Sequence, residues 1–91
     1  MKLIKLNIER MQTRQALHQY LAESLGFPDY YGANLDALFD CLTDIQQETL
    51  VEMPLEIASE TSGLGDYGLT LCKVFEQAAK QNDHLRFSVV L

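Results

Sequence analysis

The chain has no tryptophan, two prolines, two cysteines and no lysine or arginine between Gln15 and Cys72. Each scarcity excludes something. Cys41 and Cys72 are too few for a disulfide framework and lack metal-ligand spacing, so both are expected as buried, reduced thiols. No stretch approaches the roughly 20 apolar residues that a membrane span needs. The opening MKLIKLNIER does not read as a secretory leader, because Lys5 and Arg10 interrupt the apolar run; a cytoplasmic protein is expected. YYGAN has a single glycine and follows no strand, so a phosphate-cradling loop is excluded, and no cofactor or metal is expected.

The missing cations leave a one-signed span. Residues 15–72 hold ten acids and no base, and the whole chain carries 7 basic against 13 acidic residues, a net charge of −6. That balance disfavours a binder of nucleic-acid phosphates. It speeds encounter with a basic partner and repels RNA, although an acidic surface also serves solubility alone.

What is present suits one small domain covering 1–91, with 47% hydrophobic and 22% charged residues. Leu3, Ile4, Leu6 and Ile8 read as a well-buried strand. Thr13 can cap a first helix whose apolar stripe is Leu17, Tyr20, Leu21 and Leu25, with Gly26 to end it. His18 lies on that helix with no metal-ligating partner at suitable spacing, so a structural or solvent-facing role is expected. A strand is expected over Leu50–Met53, stopped at Pro54, then a short helix over Leu55–Glu60. Gly63, Gly65 and Gly68 mark a turn-rich link. A last helix is expected over Leu69–Gln81, closed by Asn82-Asp83, and a terminal strand begins at Leu85. Strands separated by helices give an α/β fold: a three-stranded parallel sheet with about four helices.

The most informative stretch is FPDYYGANLDALFDCLTD, residues 27–44. Pro28 and Gly32 shape a turn, Gly32 being able to take a left-handed backbone. Asn34 is a favoured N-cap, and Leu35, Leu38, Phe39 and Leu42 recur at helical spacing over Leu35–Thr43. Asp36 and Asp40, four apart, share the opposite side, and Asp44 prolongs the row. Asp36 favours the helix dipole, Asp44 opposes it, and like charges four apart cost a few tenths of a kcal/mol, roughly. Tyr30 and Tyr31 either pack the loop or offer the rigid contact area that binding faces use. A carboxylate pair on one helix does not flank a cleft, so an enzyme is not expected.

LHQYLAESLGFPDYYGANLDALFDCLT, and above all its PxYYGxNLDALxDCL pattern, resembles the barstar family of intracellular ribonuclease inhibitors. The likeness continues more weakly through the strand near Leu50, VFEQA of the last helix and the terminal strand. It implies a parallel α/β fold and an immunity function: neutralising a basic ribonuclease or nuclease toxin by occluding its active site, as a monomer when free. By position it implies a partner-binding set of Tyr30, Gly32, Asn34, Leu35, Asp36, Phe39, Asp40 and Thr43. Asp40 would be the central anion and Asp36 its support. Phe39 stands where the family has tryptophan, and Gln77 and Gln81 where it has glutamates, departures that leave the target open between barnase and a different basic nuclease toxin. The alternative is a protein-interaction module of this fold whose partner is not a ribonuclease.

Overall fold

The computed structural model describes residues 1–59 and 63–91. In chain order it has β1 (Lys2–Lys5), α1 (Arg14–Leu25), α2 (Leu35–Thr43), β2 (Thr49–Pro54), α3 (Asp66–Gln81) and β3 (Leu85–Val90). Short 3-10 helices occupy Ile8–Arg10 and Leu55–Ala58. The strands form one parallel sheet in the order β1-β2-β3, with Ile4 opposite Val51 and Val51 opposite Phe87. Parallel pairing requires long crossovers, and these are what α1, α2 and α3 supply.

The layout agrees with the expected α/β fold, with differences that have local causes. The fourth helix expected over Leu55–Glu60 is only a four-residue 3-10 turn, Leu55–Ala58, and Glu60 lies outside the described residues. Its N-cap, Pro54, makes no side-chain capping bond, and so short a segment cannot offset the cost of nucleating an α-helix. β1 stops at Lys5 rather than running to Ile8. There the Asn7 side chain accepts the Glu9 N–H at 2.9 Å and turns the chain into a 3-10 helix. Leu3, expected inside, is exposed on the uncovered face of the sheet beside Lys5. Val89 is likewise exposed, near the end of β3. α3 begins three residues before the expected Leu69 and includes Gly68. A Cβ at Gly68 would overlap the Ile57 carbonyl oxygen, so the glycine allows α3 to lie against the 3-10 turn.

The termini of α1 are as the residues dictate. The Thr13 hydroxyl accepts the Ala16 N–H at 3.1 Å, and Gly26 ends the helix in the left-handed conformation, φ 70°. Leu17 and Leu21 of α1, Leu38 and Leu42 of α2, Val51 and Met53 of β2, and Leu71 and Phe75 of α3 are fully buried. Phe75 stacks on Phe87 of β3 with ring centroids 5.1 Å apart. One core thus fixes α2 from below and leaves its other side free.

Candidate partner-binding face

Asn34 fixes the start of α2. Its Oδ1 accepts the Ala37 N–H at 2.8 Å, while its Nδ2 donates to the Gly32 carbonyl at 3.3 Å. Asn34 and Gly32 are exposed, yet the Asn34 side chain is already engaged in building the loop. The left-handed residue here is Ala33, φ 52°, and not Gly32 as expected. A Cβ at Gly32 would stand 3.4 Å from Ala37 Cβ, an ordinary contact, so local space does not demand glycine there.

The other end of α2 is held from α3. Buried Asn82 donates through Nδ2 to the carbonyls of Leu42, at 2.9 Å, and Ile45, at 2.8 Å. The Thr43 hydroxyl donates to the Phe39 carbonyl at 3.1 Å and the Asp40 carbonyl at 3.0 Å. Of these acceptors, the Asp40 and Leu42 carbonyls belong to the last turn, where a helix leaves its acceptors open. Thr43 therefore closes the helix, and its hydroxyl is not simply offered outward.

Asp36, Asp40 and Asp44 are all exposed, and among the described residues none has an ion-pair partner. Four residues of helix place Asp36 and Asp40 about 6 Å apart along the axis. Their surroundings differ. Asp36 lines one groove with Arg14 and Tyr67 and another, of about 370 Å³, with Phe39, Lys73, Gln77 and Gln81. Asp40 lines a groove of about 350 Å³ with Tyr30, Cys41, Asp44 and Ile45, in which no cation takes part. The row is thus free of ion pairs throughout and least compensated at Asp40 and Asp44, which share a groove without a cation. Leu35 and Phe39 are half-buried beside it.

The two tyrosines divide the roles that residue type alone left open. Tyr30 is 88% exposed, next to Asp40. Tyr31 is half-buried, its ring 4.9 Å from Phe27 and its hydroxyl 2.6 Å from His18 Nδ1. Burial pushes the Tyr31 phenol well above its usual range, with Cys41 and Tyr67 adding to the effect. Burial, with the carboxylates of Asp44 and Asp40, also raises the Cys41 thiol, so it stays protonated near neutral pH. Cys41 and Cys72 are both free thiols, with Cys41 only partly buried.

Three residues beneath the face have contacts that the sequence did not reveal: His18, expected as structural or solvent-facing, Asn82, expected only as a helix stop, and Tyr67. His18 is buried and hydrogen-bonded through both ring nitrogens, to Tyr31 and to Tyr67 of α3, each at 2.6 Å. Its apolar neighbours Leu17 and Leu21 hinted at an inward position. Nothing in the spacing foretold Tyr67 as its second partner, or Asn82 as the clamp on α2.

The profile of the family described as Barstar (barnase inhibitor) matches residues 1–91. The chain is also 38% identical over 72 residues to "Putative ribonuclease inhibitor YrdF" of Bacillus subtilis (strain 168), the match covering 74% of each chain. No helix among the described residues is long and apolar enough to cross a membrane.

Proposed function

Because the chain belongs to the barstar family, whose members are inhibitors and not enzymes, we propose that it is a cytoplasmic immunity protein. It inhibits a basic ribonuclease or nuclease toxin by laying α2 and the loop before it into the enzyme's active site. One observation carries this reading: a rigidly anchored helix with an exposed row of carboxylates, unpaired in the described structure, beside the protruding Tyr30. A nuclease gathers cations to hold RNA phosphate. Carboxylates set on a rigid helix take the phosphates' place through charge-assisted hydrogen bonds in a site closed to water. Asp40 is the central anion, because its groove holds no competing cation; Asp36 supports it. Tyr30, Phe39 and Leu35 supply contact area, while Gly32, Asn34 and Thr43 shape the backbone that presents them.

The test is titration of barnase-type ribonucleases with the wild-type chain, Asp40→Ala and Asp36→Ala, following RNA hydrolysis. Inhibition is expected to fall with both and more with Asp40→Ala. It is also expected to weaken with added salt, which screens opposite charges. Equal inhibition by all three proteins overturns the site. A second reading, an interaction module with a partner other than a ribonuclease, draws on Lys73, Gln77 and Gln81 facing Asp36 across a groove. That wall suits a less basic partner, and absence of inhibition across the ribonuclease panel would favour it.

A further inference from the structure

Beneath the face lies a contact that joins three elements at one side chain. His18 of α1 meets the Tyr31 hydroxyl of the loop at Nδ1 and the Tyr67 hydroxyl of α3 at Nε2, both at 2.6 Å. Tyr31 stands between exposed Tyr30 and the Gly32–Asn34 turn that starts α2. Among the described residues, the loop is otherwise held by the Tyr31 N–H, which donates to the Pro28 carbonyl at 3.0 Å, by the Tyr31 ring resting on Phe27, and by Asn34 Nδ2 donating to the Gly32 carbonyl.

We propose that His18 is a positioning residue for partner binding: joined to Tyr31 and Tyr67, it holds the loop in the conformation that presents Tyr30 and Asp40. The proposal rests on the inhibitor reading above and adds a control point outside the contact face. The chemistry of the bridge favours one charge state. A neutral imidazole has one N–H donor and one bare nitrogen. One tyrosine oxygen accepts from the N–H while the other tyrosine donates its O–H to the bare nitrogen, so both bonds are complementary. Adding a proton turns the bare nitrogen into a donor, and the tyrosine that had been donating to it must turn its own O–H elsewhere. The added charge also sits in a buried place.

The charged and titratable groups around the bridge do little to stabilise that charge. Tyr31 faces it from the loop and Tyr67 from α3, both with phenols raised by burial. From α1, the Arg14 guanidinium lies 4.2 Å from the Tyr67 ring centre and opposes a second positive charge. Cys41 of α2 is near Tyr31 and stays a neutral thiol. Asp36 shares the groove of Arg14 and Tyr67. Glu23 and Asp29 line the open groove, about 550 Å³, to which His18 contributes part of the wall. Both are exposed to solvent, and Glu23 faces Arg10 at 3.5 Å. Burial lowers the proton affinity of His18 below its ordinary value, in keeping with a neutral bridge at neutral pH.

The test uses the intact chain, with His18→Gln and Tyr67→Phe, at a temperature where circular dichroism shows every variant fully folded. Tyr67 belongs to α3, so Tyr67→Phe changes no residue of the α2 and loop face itself. Amide hydrogen exchange at the loop needs no partner: each variant is expected to speed exchange at Tyr31 about threefold to tenfold, the effect of losing one hydrogen bond. Inhibition of barnase-type ribonucleases is expected to weaken by a similar factor. The ratio of wild-type to His18→Gln affinity is expected to shrink as pH falls from 7 to 5, a comparison in which the enzyme's own titrations cancel. A bridge important only for stability leaves both affinity and the pH ratio unchanged in folded protein, and that result overturns the proposal. Should the wild-type chain inhibit no ribonuclease, the inhibitor reading fails, and loop exchange decides the positioning role: unaltered exchange in both variants overturns it.

Discussion

The side-chain amide of Asn82, at the end of α3, donates to the backbone carbonyl of Leu42 from 2.9 Å, near the end of α2. A second bond from the same nitrogen reaches Ile45, and the Asn82 oxygen accepts the His84 N–H at 3.0 Å. One buried amide thus ties the C-terminus of the acidic helix to the turn that starts β3. Asn82→Ala removes all three bonds and leaves the Leu42 carbonyl only backbone partners such as the Ile45 N–H at 3.4 Å, so a loss of about 2–3 kcal/mol in urea unfolding is expected. Asn82→Asp should cost more, because a carboxylate cannot donate to two carbonyls and places a charge in a buried site.

The acidic row predicts opposite signs for stability and function. Asp40 has Asp36 and Asp44 four residues to either side, and no cation lines its groove. Asp40→Asn removes two like-charge contacts and keeps the side-chain shape. Thermal unfolding should show a stability gain of about 0.3–0.8 kcal/mol, while inhibition of the ribonuclease falls. A residue that harms the fold and helps the task marks a functional surface. Loss of stability in Asp40→Asn would instead make Asp40 a structural residue.

How much was legible in the sequence depended on whether the determinants were local. Asn34, Thr13 and Gly26 act within three or four residues of themselves, and the helix termini they dictate are where the pattern puts them. The α2 stripe and its acidic side follow from helical periodicity alone. Contacts between distant residues were not legible. His18 finds Tyr67 across 49 positions, and Asn82 finds Leu42 across 40. No spacing rule connects such pairs; only the packing of α1 and α2 with α3 does. Ala33 is a second kind of miss. The glycine beside it was the expected left-handed residue, but the residue directly before the extended Asn34 N-cap takes that conformation instead.

Ala33 therefore invites a stabilising change. An alanine at φ 52° bears a steric cost of about 1–2 kcal/mol that glycine avoids. Glycine also loses more chain entropy on folding, so the expected net gain for Ala33→Gly is about 0.5–1 kcal/mol in urea unfolding. The loop conformation is one glycine adopts without strain, so inhibition should be unchanged. Ala33→Val, branched at Cβ, should destabilise.

The buried imidazole makes folding stability depend on pH. His18 binds its proton less readily in the folded chain than in the unfolded one, where its pKa is about 6.5. Above that value both states are neutral there and its contribution is complete. As pH drops below about 6.5 the unfolded chain takes up the proton first, so stability declines until the folded-state value is passed. Urea midpoints measured at pH 7.5, 6.5 and 5.5 should fall in that order. The same series on His18→Gln should be flatter over this window, with a lower starting value from the lost tyrosine bond.

Gly68 offers the sharpest test of how α3 is seated. A Cβ at this position would overlap the Ile57 carbonyl oxygen, a backbone atom that cannot swing aside as a flexible side chain could. Ile57 is fully buried in the 3-10 turn after β2, so α3 would have to move away from that turn. Ordinarily Gly→Ala inside a helix stabilises by about 0.5–1 kcal/mol. Here overpacking should dominate, and Gly68→Ala is expected to destabilise by about 1–3 kcal/mol in urea unfolding. Displacement of α3 would also shift Tyr67, the adjacent residue, away from His18. Faster amide exchange at Tyr31 should therefore accompany the lost stability, whereas Gly26→Ala, where a Cβ meets nothing within 4 Å, should lower stability through its backbone strain alone and leave that exchange unaltered.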